Sequence, residues 1–86
     1  MPLAKRYMHL ETDLDGLHKS IVKELLNTKG LKLANEIKTE VNGKPFRSIT
    51  AVRESIPRAF VGALREVTVT IAGEPDDFLV EVHTGA

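Results

Sequence analysis

The chain has 86 residues, 42% hydrophobic and 28% charged, with 12 basic against 12 acidic side chains and no cysteine. That length suits one small domain with a thin stability margin, and the absence of thiols excludes disulfide staples and thiolate metal sites. No apolar run approaches the ~18 residues of a membrane span and Met1 leads into no signal-peptide core, so membrane insertion is not expected and the cytoplasm is the default location.

Leu3 to Leu10 alternates around Tyr7 and reads as a short strand. Thr12 to Lys29 is the clearest helix. Thr12 is a suitable N-cap, and Asp13 and Asp15 favour the positive end of the helix dipole. Leu14, Leu17, Ile21, Val22, Leu25 and Leu26 form one apolar stripe, and Gly30 is a plausible stop.

Leu31 to Val41 fits two patterns. Its odd positions alternate as a strand, whereas Leu33, Ala34, Ile37 and Val41 also share a helical face. Asn42-Gly43 decides for a hairpin, because a type I′ turn needs two residues at positive φ. Phe46 to Val52 is then the return strand, with Pro45 tolerated at its start. Ser55 to Arg65 reads as a second, short helix with Pro57 in its first turn.

The last third is the most legible part. Val67 to Ile71 and Phe78 to Thr84 alternate apolar with polar around the turn residues Gly73-Glu74-Pro75-Asp76-Asp77. Val67, Val69, Ile71, Phe78, Val80 and Val82 would share one face. A lone hairpin is marginal in water, so that face needs a cover, and the first helix is the candidate. The 86 residues end at Gly85-Ala86, directly after this strand, which is also how a domain excised from a longer protein would end.

The expected fold is therefore α+β: a small antiparallel sheet with two helices on one face. Its order is that of a ferredoxin-like βαββαβ unit plus a C-terminal hairpin strand, a likeness of topology alone. The alternative takes Leu31 to Glu40 as helix and gives a winged helix-turn-helix.

Asp13-Leu14-Asp15-Gly16 resembles the nucleophile loop of haloacid-dehalogenase-type phosphatases, but that machinery needs a parallel α/β sheet and further loops. Read as a Ca²⁺ loop starting at Glu11, the stretch puts Val22 where a bidentate glutamate is required. Helix capping accounts for both carboxylates. His9, His18 and His83 lack metal-ligand spacing, and no glycine-rich phosphate loop is present. No catalytic residue, metal or cofactor is expected.

Charge is unevenly spread, with no Lys or Arg after Arg65. Lys44, Arg47, Arg53, Arg58 and Arg65 could meet phosphates of a nucleic acid. Against that, net charge is zero, aromatic side chains are few and the Glu74–Asp77 turn is acidic. The leading expectation is a non-enzymatic interaction domain that binds another protein or itself. Phe78, Leu79, Val80, Glu81 and Val82 are its candidate association edge, since they lack the Lys and Pro that guard natural edges.

Overall fold

The computed structural model describes residues 3–9, 11–28, 30–53 and 65–85. They form five strands and one helix in the order β1 (Leu3–Met8), α1 (Leu14–Asn27), β2 (Leu31–Val41), β3 (Lys44–Arg53), β4 (Glu66–Glu74) and β5 (Asp77–Gly85). The strands make one sheet in the order β1-β5-β4-β3-β2, with every neighbouring pair antiparallel. β2 through β5 are thus a meander, and β1 closes onto its far side. α1 carries the chain from one edge of the sheet to the other.

This corrects the ferredoxin-like layout. That arrangement needs a second crossover before β4, but β4 lies directly against β3. The Arg53 N–H donates to the Arg65 carbonyl at 2.8 Å, so the connection leaves and re-enters the sheet at the same end of adjacent strands. Among the described residues there is one helix; the second helix expected over 55–65 lies outside them apart from Arg65, which is not helical. The winged-helix alternative falls as well, because Leu31–Val41 is strand throughout.

α1 starts one residue later than Thr12 implied. Asp13 is the N-cap, and its carboxylate accepts the Asp15 N–H at 3.1 Å. The start is latched to the β4–β5 turn: the Thr12 N–H donates to the Pro75 carbonyl and the His9 N–H to that of Asp76. At the other end the Thr28 hydroxyl and N–H close on the Glu24 and Leu25 carbonyls.

The core lies between α1 and one face of the sheet. Leu14 packs with Ile71 and Phe78, joined by Leu17, Ile21, Tyr7 and Val80. Tyr7 and Phe78, directly opposite in β1 and β5, stack with ring centroids 5.3 Å apart. The expected hairpin face is present: Ile71 pairs with Val80 and Val69 with Val82, while Phe78 sits opposite Gly73. In β3 the same face holds Ile49 and Ala51, both fully buried.

β2 breaks the simple alternation. Leu33 pairs with Ala51 and Asn35 with Thr50, so Ala34 is an extra residue and the strand bulges. Before the bulge the odd residues Leu31 and Leu33 share the helix side with Ala51. After it the even residues Glu36, Lys38 and Glu40 take that side, and Ile37 and Val41 turn to the opposite face. Leu31 is accordingly buried, whereas Ile37 is 40% and Val41 51% exposed. No helix among the described residues is long and apolar enough to cross a membrane.

Candidate functional site

The five residues first expected to form a free edge do not have one. β5 lies between β1 and β4, with Tyr7 opposite Phe78, Arg6 opposite Leu79, Lys5 opposite Val80, Ala4 opposite Glu81 and Leu3 opposite Val82. Its backbone groups are engaged on both sides, which corrects the placement of the association edge there. β1 is held partly by charge. Arg6 binds Asp77 through both carboxylate oxygens at 2.9 and 2.8 Å. That hydrogen bond, with the attraction behind it, raises the Arg6 pKa and lowers that of Asp77. Part of the uneven charge is thus internal complementarity between the N-terminal strand and the acidic last third.

Among the described residues, the basic side chains considered for nucleic acid are not gathered into one patch. Lys44 and Arg53 are the first and last residues of β3, roughly 30 Å apart at strand spacing. Arg65 lies at the Arg53 end, and Arg58 is outside the described residues. Arg47 is buried and turned toward α1, where it meets Asp15 at 2.8 Å.

Among the described residues the sheet's free edges are β1 and β2. β1 has six residues and carries Lys5 and Arg6; β2 has eleven and is exposed from Lys32 onward. Asn42 and Gly43 both have positive φ, 54° and 77°, so the β2–β3 turn is of type I′. A two-residue turn closes on a hydrogen-bonded pair, here Val41 and Lys44. Because such pairs alternate along an antiparallel ladder, the N–H and C=O of Glu36, Lys38 and Glu40 point away from β3. Pro45, opposite Glu40, falls at a position whose N–H the ladder does not use.

Two of the three side chains at this outer edge are fixed by α1. Lys38 Nζ and an Arg47 guanidinium nitrogen both donate to Asp15 Oδ1, at 2.9 and 2.8 Å. The Lys38 hydrogen bond is the largest cause of a lowered Asp15 pKa, followed by the charges of Lys38 and Arg47. One helical turn along, His18 Nε2 meets Glu36 Oε1 at 2.7 Å. These residues and Lys19 line a concavity of about 330 Å³. His18 Nδ1 is buried without a partner among the described residues, and Nε2 is spent on Glu36. The pair ties β2 to α1. Glu40 has no side-chain partner among the described residues.

The sheet face away from α1 carries Phe46, Thr50, Thr68, Ala72 and Leu79, with Thr50 and Thr68 hydroxyls 3.1 Å apart. At its β2–β3 end, Arg6, Val41, Phe46, Ala72 and Leu79 line an open concavity of about 450 Å³. Elsewhere His83 pairs with Glu81 at 3.0 Å, and His9 lies in the β1–α1 link. Among the described residues no three His, Asp or Glu side chains converge as a metal site.

Sequence reasoning missed the β2 edge. The strand, its turn and its alternating charges were all visible, but β5 looked like the open edge until β1 was found paired to it. Compared with known proteins, the chain matches no family model, no curated protein and no solved structure.

Proposed function

We propose that the chain is an interaction domain, without catalysis of its own, that binds an extended strand of a protein partner along the outer edge of β2. The observation that carries this reading is an eleven-residue strand that, among the described residues, is paired on one side only and is exposed along nearly its whole length. Such an edge offers a row of N–H and C=O groups to any strand laid beside it. Here the outward groups belong to Glu36, Lys38 and Glu40, a minus–plus–minus series on the helix side, while Ile37 and Val41 supply exposed apolar contacts on the other face. The matching partner is a strand with a plus–minus–plus series on one face and β-branched residues on the other. The Asp15 and His18 contacts hold Lys38 and Glu36 in place before binding, which lowers the entropy lost when a partner docks.

The test uses a short fluorescent peptide of alternating Thr, Lys, Val, Glu, Val, Lys, Thr, titrated against the protein by anisotropy. Wild type is expected to bind it, and Glu40→Pro is expected to lose binding while keeping its fold. That substitution removes an N–H that the β2–β3 ladder does not use and blocks the outer edge. Equal binding by the two proteins, or none by either, would reject the edge as the working surface.

A further inference from the structure

Three features of β2 bear on which strand it takes. The first is that the bulge at Ala34 and the turn at Asn42 leave a regular stretch from Asn35 to Val41. Facing residues in an antiparallel pair share a face, so a second copy could align this stretch only in registers that keep even residues opposite even ones. The second is charge. Full overlap, centred on Lys38, would oppose Lys38 to Lys38 and Glu36 to Glu40. A centre on Ile37 opposes Glu36 to Lys38, but Glu36 is already held by His18 and Glu40 would face the bulged Ala34. A centre on Thr39 opposes Lys38 to Glu40 twice, and Glu40 is the carboxylate with no side-chain partner among the described residues. The third is apolar exposure. The Thr39 centre also opposes Ile37 to Val41 twice, covering two of the exposed large apolar side chains of the strand.

From these we infer that the partner strand is β2 of a second copy, paired antiparallel about a twofold axis at Thr39. The two sheets then join into one of ten strands. Four outward backbone hydrogen bonds form between Lys38 and Glu40 of the two copies, with two Lys38–Glu40 ion pairs on the helix side and two Ile37–Val41 contacts on the open face. Isologous pairing of this kind is the commonest symmetry of soluble oligomers. Two strand edges bury less than the ~1,200 Å² of a standard interface, so the dimer is weak and concentration-dependent. The inference rests on the edge reading above and adds the partner's identity and register.

Sedimentation equilibrium up to about millimolar protein tests it. Wild type is expected to show monomer–dimer association. E40K sets Lys38 against a second lysine, and K38E sets Glu40 against a second glutamate; each alone should weaken association about tenfold or more. Mixed one to one, the two variants oppose only unlike charges and should recover wild-type association. E40K alters a side chain without an intramolecular partner among the described residues, and E40Q should fall between wild type and E40K; this series stands if K38E does not fold. A mixture no heavier than its components would overturn the register, as would rescue of K38E by E36K in place of E40K. A wild type that stays monomeric would overturn the dimer. If that monomer still binds the strand peptide at its β2 edge, only the dimer fails; if it binds no peptide, the edge reading fails with it.

Discussion

Two isoleucines on neighbouring strands separate what the fold needs from what the edge does. Ile49 in β3 is 0% exposed and faces α1; Ile37 in β2 is 40% exposed and faces away from it, because the Ala34 bulge reverses the strand's faces. Ile49→Ala removes three carbons, about 2.4 kcal/mol of transfer free energy at ~0.8 kcal/mol each, and the cavity left behind brings the loss to about 3–4 kcal/mol. A chain of this size has about 4–13 kcal/mol in total, so much of the stability goes. With a urea slope near 1 kcal/mol/M, the midpoint should fall by about 3 M. Ile37→Ala should cost less than about 1 kcal/mol, since the side chain already meets solvent. In the dimer it removes two cross-strand contacts worth about 0.2–1 kcal/mol each, a loss of about 2- to 30-fold in association. Urea unfolding followed by circular dichroism, with sedimentation on the same samples, measures both. Equal stability losses at the two positions would refute the argument, because an unbulged β2 would carry Ile37 on the helix side.

Two glycines at positive φ should respond differently to alanine. At Gly73, φ 129°, an added Cβ would stand 2.5 Å from the Asp77 carbonyl oxygen and 2.8 Å from Phe78 Cα, so the hairpin must shift. Gly73→Ala should cost about 1–3 kcal/mol by thermal unfolding, and Gly43→Ala, with nothing within 4 Å, about 1 kcal/mol of backbone strain. Equal costs would mean that the close approach at Gly73 is not present. Stability should also fall in acid. Asp15 and Asp77 have lowered carboxyl pKa values in the folded chain, so their contribution is complete above the ordinary aspartate range near 4 and is lost as pH falls through the folded values. Melting scans of wild type and an Asp15→Asn/Asp77→Asn variant should differ at pH 7 and converge as pH falls through the lowered folded values; parallel curves down into acid would rule out both carboxylates as the source.

Much of the fold could be read along the chain, and what escaped has physical reasons. α1 announced itself by an apolar stripe and acidic first turn, and the β4–β5 hairpin by alternation around Pro75. Asn42-Gly43 settled Leu31–Val41 as strand where periodicity alone was divided. The pairing of β1 with β5 is a contact between distant parts of the sequence, and no local pattern of Leu3–Met8 encodes it. Its consequence was large, because it covered β5 and left β1 and β2 as the open edges. The bulge was equally silent: Leu31, Leu33, Ile37 and Val41 look like one face, and only the register shows two. Arg47 read as a surface cation and is instead buried against Asp15, a burial decided by where α1 crosses β3.

The most direct measurement is amide hydrogen exchange of β2 at low and high protein concentration. The outward N–H groups of Glu36, Lys38 and Glu40 have no partner in the β2–β3 ladder and should exchange rapidly when dilute, beside the slower, inward-bonded amides of Ile37 and Thr39. On concentration the Lys38 and Glu40 amides should gain protection, while those of β5, already paired on both sides, should not change. Lys38 and Glu40 amides that exchange at the same rate at both concentrations, together with no binding of the strand peptide, would contradict the account.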